Sequence, residues 1–145
     1  MQHYYRLPLA FGKLTRREKH PRCPLEASVK QNIHLILLSR FGEYPYDASY
    51  GCTVWDQDFA LTANTVAWKE KIRKSIIATV QAHEKRIAGL AVQVEIAEDE
   101  FQYVRDESVR KVKRRISVEI NGVLRDTNET FDFKEDIFIS PVSLD

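Results

Sequence analysis

Three adjacent charges, Glu84-Lys85-Arg86, stand where a helical stripe gives way to an alternating strand pattern. An arginine next to a carboxylate can pair with it through two parallel hydrogen bonds, which fixes geometry as well as charge. Two readings follow. The leading one is an ordinary wet helix end, where Lys85 and Arg86 favour the negative end of the helix dipole. The functional one is a polar hook offered to a partner. Other chemistry is thin. His3, His20, His34 and His83 are scattered, with no i, i+4 ligand pair and no HExxH. Cys23 and Cys52 form no CxxC, and without an export signal two idle thiols are expected before a bridge. Five glycines make no phosphate-binding loop. Glu95, Glu98, Asp99 and Glu100 read as a solvated turn at a strand end. Arg110, Lys111, Lys113, Arg114 and Arg115 form a basic run. A strand would put Lys111, Lys113 and Arg115 on one face that could touch phosphates. No aromatics interleave with them, and a solvent-facing strand kept soluble by cations is the leading reading. The expectation is a protein that is no enzyme and uses no cofactor or metal.

The elements that position Glu84-Lys85-Arg86 run from Thr65 to Ile96. Trp68, Ile72, Ile76, Val80, His83 and Ile87 recur every three or four residues, one stripe of a long helix. Thr62 or Asn64 suits its cap, and Gly89 suits its stop. Leu90, Val92, Val94 and Ile96 then alternate with polar or small residues, as in a half-buried strand. Upstream, residues 3–14 read as an extended arm, because Pro8 and Gly12 argue against a helix. Pro24 opens a second helix at its first position, with Leu25, Val29, Ile33, Ile36, Leu37 and Arg40 at helical spacing and Gly42 at its end. Leu35 and Leu38 add apolar surface, so its last turns are expected to be buried. His34 reads as a satisfied core or boundary histidine.

Glu43–Gly51 is a turn-rich loop. Residues 52–63 are expected to be irregular or to make one helical turn that plugs the core with Val54, Trp55, Phe59 and Leu61. Lys111–Ile120 reads as a strand with Val112, Arg114, Ile116, Val118 and Ile120 on one face. Asn121-Gly122 predicts a tight hairpin turn. Residues 126–130 read as a further turn, 130–133 as a short strand, and Ile137-Phe138-Ile139 as an edge segment or tail.

The 145 residues suit one domain, with an arm over about 1–22 and a tail over about 134–145. The fold class is α+β: helices on one face of a small, mainly antiparallel sheet ending in a β-hairpin meander. Net charge is +1, so no global field recruits nucleic acid or an anionic membrane. No apolar run approaches the roughly 20 residues of a membrane span. A cytoplasmic protein without a small-molecule substrate is expected.

The order of motifs resembles the GPW-type family of phage baseplate wedge proteins, to which the TssE component of type VI secretion systems belongs. The likeness covers about residues 23–125. Ser28-Val29-Lys30-Gln31-Asn32-Ile33, running on to Phe41-Gly42-Glu43 and Tyr50-Gly51, is similar to the family's helix, Gly-Glu-Arg loop and Phe-Gly. The long helix ending in Glu84-Lys85-Arg86-Ile87 before a strand is similar to its Glu-Pro-Arg motif. Tyr44 stands in place of the family arginine, Lys85 in place of the proline and Tyr50 in place of phenylalanine. The Tyr-Tyr-Arg-Leu-Pro-Leu arm and the Phe-Gly-Glu loop resemble TssE-like proteins of Bacteroidetes secretion systems. The resemblance implies a structural part of a contractile injection machine that links baseplate to sheath and tube. Its implied partners are TssF-, TssG- and TssK-like wedge proteins and sheath proteins. Glu84 and Arg86 would be the contact pair, with Lys85 between them and Glu43 and Tyr44 supporting, so that Arg86→Ala would leave the fold intact and abolish assembly. The other function considered is a regulatory protein-binding module on the same fold, like the anti-adapters, which would not need the hook.

Overall fold

The computed structural model describes residues 3–56, 64–102 and 110–139. In chain order they form β1 (Tyr4–Tyr5), α1 (Phe11–Thr15), β2 (Arg22–Cys23), α2 (Leu25–Leu38), a 3-10 turn (Thr53–Trp55), α3 (Thr65–His83), β3 (Ile87–Gln102), β4 (Arg110–Leu124) and β5 (Thr130–Ile139). Strands β3, β4 and β5 make an antiparallel meander with β4 in the middle. Strands β1 and β2 pair separately. The α+β architecture expected from the pattern is the one observed.

Period decides which side chains meet. On α3, Trp68, Ile72, Ile76 and Val80 are buried along one stripe, and on α2 Val29, Ile33, Ile36 and Leu37 are. With the exception of Ile36, these side chains share one cluster with Val92, Val94, Ile116, Val118, Ile120, Phe131, Phe133 and Ile137 of the sheet. Asn64 caps α3 by accepting the Ala67 N–H at 3.1 Å. Val54 of the 3-10 turn is buried in the same cluster, as expected of a plug, whereas Phe59, Leu61 and Thr62 lie outside the described residues. Arg114 shares the inner face of β4 with Ile116. Its guanidinium lies 5.5 Å from the Trp68 ring centre and pairs with Glu98 at 3.3 Å.

Several expectations are corrected. The arm is not wholly extended: Phe11–Thr15 is helical despite Gly12, and Tyr4–Tyr5 is tied to Arg22–Cys23. Helix α2 starts after Pro24 and stops at Leu38, before Gly42, which serves a turn at φ +79°. Its last turn is only half buried, because the sheet takes only one stripe: Ile36 and Leu37 are enclosed, whereas Leu35 and Leu38 are 42% and 45% exposed. Lys134–Ile139 continue β5 and are no tail.

The largest corrections lie at the start of the sheet. Helix α3 ends at His83, and Ile87 belongs to β3. Gly89 does not stop the helix. It sits at φ +61° within β3, where the register slips between Ala88 and Ala91. Ala88 faces Val123 and Ala91 faces Asn121, so Gly89 and Leu90 together oppose Gly122. This is a bulge, and one extra residue shifts the inward parity of a strand. Ile87 and Val92 can therefore both be buried although five positions separate them.

The same bulge explains why Asn121-Gly122 is no hairpin. Strand β4 runs straight through it, and the turn comes at residues 125–129, with Asn128 at φ +56°. A Cβ on Gly122 would stand 2.7 Å from Ile87 Cγ2 and 2.9 Å from the Ala88 carbonyl oxygen. The glycine is there for close approach of two strands.

Gly122→Ala is therefore expected to destabilise the fold by about 1–3 kcal/mol, as overpacking does. Gly12→Ala, with nothing near its Cβ and a helical site, should be neutral or stabilising by under about 1 kcal/mol. Thermal unfolding of the two variants beside the parent checks this. Equal midpoints would remove the close-approach account of Gly122.

Candidate functional site

The chain reverses between α3 and β3 within three residues, and Glu84 makes the turn. Its N–H still closes the helix on the Val80 carbonyl at 2.8 Å, while its own backbone has left helical values. Its carboxylate then takes the Arg86 N–H at 3.1 Å. Arg86 returns a two-pronged bond, Nε to Oε1 at 2.8 Å and a terminal nitrogen to Oε2 at 2.7 Å. Asn32 Nδ2 of α2 also donates to Oε2, at 2.9 Å, and the second terminal nitrogen of Arg86 donates to Ser28 Oγ at 2.8 Å. The pair thus braces the junction against α2, far away in sequence. Glu84 is 3% exposed.

The protonation states follow from these bonds. Burial alone would push the Glu84 carboxyl up, but the hydrogen bonds from Arg86 and Asn32 and the nearby guanidinium outweigh it and hold it below the usual carboxylate range. Arg86 is held protonated, chiefly by its bonds to Glu84. A buried acid kept ionised in this way cannot serve as the proton donor that glycoside cleavage requires. Tyr4 of β1 covers the group, its ring centre 5.0 Å from the Arg86 guanidinium.

The loop of residues 40–51 leans on this brace. It is pinched at its base, where the Cys52 N–H bonds the Ser39 carbonyl at 3.0 Å and a Cβ on Gly51 would meet the Arg40 carbonyl carbon at 2.7 Å. Tyr50 donates its hydroxyl to Asn32 Oδ1 at 3.1 Å and lies edge-on to His83 at 5.2 Å between ring centres. Burial, with Glu84 and Tyr44 nearby, raises the Tyr50 phenol above its usual range. Tyr44 packs on Tyr50 at 5.7 Å and on Tyr46 at 5.6 Å. Glu43 folds back to accept the Arg40 N–H at 2.8 Å. Glu43, Tyr44, Pro45 and Tyr50 line a shallow groove with Leu35 and Ser39 of the α2 end.

The five residues singled out in the sequence divide in two. Glu84 and Arg86 are turned inward, with their bonds spent on each other and on α2. Lys85 is exposed, donating to the Gln81 carbonyl at 2.8 Å, and Glu43 and Tyr44 are exposed on the loop. Ser28, Asn32, Tyr50 and His83 were not expected in the brace. One signal could have found Asn32: it is a polar residue between Val29 and Ile33 of the buried stripe.

Asp47, His83 and Ser49 also converge, in an order that suggests a hydrolytic triad. His83 Nε2 is 3.2 Å from Ser49 Oγ, and Nδ1 is 3.8 Å from Asp47 Oδ2. The details argue for a loop clasp. The Ser49 hydroxyl is committed to Asp47 Oδ1 at 2.6 Å, and the Asp47–His83 separation is too long to orient a base. The bonds from the Ser49 hydroxyl and N–H also hold the Asp47 carboxyl below its ordinary range. Among the described residues no cluster of His, Cys, Asp and Glu could hold a metal ion.

A family described as baseplate wedge protein gp25 matches residues 24–129. The solved structure of a Geobacter sulfurreducens protein, provisionally named a tail lysozyme, superposes with a TM-score of 0.58 at 16% identity. The alignment covers 86% of this chain and 100% of that one, and it shows a shared fold. No curated protein matches.

Because the folded Glu84 carboxyl titrates below its unfolded value of about 4.3, it contributes stability above that value and loses it as the pH falls further. Glu84→Gln should be less stable at pH 7 by about 3–4 kcal/mol, the lower part of the range for a broken buried pair, since the Arg86 side chain keeps 26% exposure. The deficit should shrink as the pH drops below about 4. Urea unfolding of both proteins at pH 7 and pH 3.5 tests it; a deficit that does not change with pH would show that the charge on Glu84 is not what stabilises the junction.

Proposed function

The chain belongs to the baseplate wedge protein gp25 family, and we propose on that premise that it is a non-catalytic wedge component of a contractile injection machine, of the TssE type of a type VI secretion system, working in the cytoplasm. Its partners on this reading are TssF-, TssG- and TssK-like wedge proteins and the sheath proteins assembled on them. No helix among the described residues is long and apolar enough to cross a membrane.

The observation that carries the reading is the division of the site into a buried brace and a surface set upon it. Glu84 and Arg86 fix the α3–β3 reversal and, through Asn32 and Tyr50, the loop that displays Glu43 and Tyr44. Around them Leu35, Leu38, Phe41, Tyr44 and Tyr46 are exposed. Exposed aromatic side chains on a rigid base are the usual anchors of a protein interface, and the leucines beside them extend the apolar patch. An apparatus that must keep its register under load gains from a base with a single geometry, even where the net energy of the buried pair is small. The contact surface is then Glu43, Tyr44 and Lys85, with Glu84 and Arg86 holding it in place.

This division changes what Arg86→Ala should do. Removing the guanidinium leaves a buried carboxylate unpaired, so fold stability and assembly should fall together. A cleaner probe is Tyr44→Ala with Lys85→Glu, two exposed positions. Tagged chain recovered from its native cell should bring down wedge and sheath proteins. The double variant should recover at least about tenfold less, a loss of about 1.4 kcal/mol in binding, with an unchanged unfolding midpoint. Wild type that recovers no wedge or sheath protein, or one unrelated protein indifferent to both substitutions, would overturn the reading.

A further inference from the structure

The arm ahead of α2 has a composition unlike the rest of the chain. Between His3 and Cys23 stand six cations, Arg6, Lys13, Arg16, Arg17, Lys19 and Arg22, and a single acid, Glu18. That is net +5 where the whole chain has +1, which leaves −4 for everything else. Among the described residues none of these cations forms an ion pair. Between and beside them Tyr5, Leu7, Leu9, Phe11 and Leu14 are exposed, Phe11 at 69% and Tyr5 at 60%.

An arm of this kind could be loose, but this one is tied down. The Arg6 N–H bonds the Pro21 carbonyl at 3.0 Å, and the Leu7 N–H bonds Gln31 Oε1 of α2 at 2.6 Å. Buried His20 accepts the Ala10 N–H at Nε2, 2.9 Å, and its other nitrogen meets the Pro21 carbonyl at 2.8 Å, so one neutral tautomer satisfies both. Tyr4, at the root of the arm, lies against Arg86. The exposed leucines and aromatics are therefore displayed on a bonded scaffold whose backbone ordering entropy is already lost on folding.

We propose that the face formed by Tyr5, Leu7, Leu9, Phe11 and Leu14, with Lys13, Arg16, Arg17 and Lys19 at its edge, docks an acidic protein surface that has an apolar groove. Charge selects the occupant. The arm carries six cations against one acid, so it offers a positive patch to a negative partner, which steers encounter and fixes register. A membrane surface is the poorer match. Interfacial anchors present one wide apolar face along a long helix, and here the helix has five residues with Lys13 between Phe11 and Leu14. Nucleic acid is poorer still, because leucines outnumber the aromatic rings that bases stack on.

The inference rests on the proposed wedge role only for the setting of its test. A photo-cross-linking residue replaces Phe11 in the full chain in its native cell, in otherwise wild-type protein and in Lys13→Glu with Arg16→Glu. The expected result is a cross-link to an acidic stretch of another baseplate protein. It should drop about tenfold in the charge-reversed variant, whose unfolding midpoint should not move, and weaken steeply with salt in extracts. No cross-link, or one between copies of this chain, overturns the proposal. So does binding of the purified chain to phosphatidylglycerol vesicles that is lost with the two charge reversals. Recovery of wedge proteins through Tyr44 without any cross-link at position 11 would sink the arm alone and leave the proposed function standing. Loss of both would sink the two together.

Discussion

Everything near the candidate surface depends on one buried ion pair. Glu84 and Arg86 are two residues apart, where helix α3 turns directly into the sheet. A carboxylate taken from water costs several kcal/mol, and the guanidinium returns that only when the geometry is good and the remaining lone pairs are filled. Here they are filled: two bonds from the guanidinium, one from the Arg86 N–H and one from Asn32. The consequence is more than local. Asn32 and Ser28 bring in α2, Tyr50 brings in the loop after α2, and Tyr4 brings in the arm. Three segments distant from the junction in the sequence are referred to a single pair of side chains.

The sheet meets this junction through a bulge, and the two features depend on each other. Arg86 also gives its carbonyl to the Arg125 N–H at 2.9 Å, and Arg125 Nε reaches the Ile87 carbonyl at 3.2 Å, so the β4–β5 turn is fastened to the same corner. With the corner fixed, β3 must bury Ile87 at its start and Val92 and Val94 further on. Strict alternation cannot do that. Gly89 and Leu90 opposite Gly122 absorb the mismatch, and only a residue without Cβ fits between Ile87 and the Ala88 carbonyl.

What the sequence makes legible is whatever depends on period. The Trp68–Ile72–Ile76–Val80 stripe and the Val92–Val94 alternation were readable because burial imposes a spacing on them directly. Ile87 was not. It follows His83 by four and Val80 by seven, so the helical frame accepts it, and nothing local announces that a carboxylate will end the helix at Glu84. Asn121-Gly122 failed for a related reason. The pair has the backbone freedom a hairpin needs, but the glycine meets a demand made by Ile87 and Ala88 of β3, far earlier in the chain, and the turn falls instead at Asn128. Leu35 and Leu38 were misjudged because hydrophobicity does not say whether a face is buried in the molecule or left to be covered by another. Of the candidate site, the charges at 84–86 and the loop at 43–44 could be found in the sequence. That Asn32 and Tyr50 join them could not, since that is a fact of packing.

Position 85 shows how the brace does its work. The resemblance places a proline there, and this chain has lysine. A proline would set the turn by its ring and remove a donor. In this structure the Lys85 N–H makes no hydrogen bond to the described residues, so nothing requires that donor, and the turn is set instead by the Glu84 carboxylate gripping the Arg86 N–H. Here a charged side chain acts on the backbone two residues on to hold the turn. The exchange leaves the outer surface of the turn with an exposed cation, bonded to the Gln81 carbonyl, in place of an apolar ring. Position 85 thus contributes charge to the proposed contact surface, while the backbone is fixed by the buried pair on either side of it.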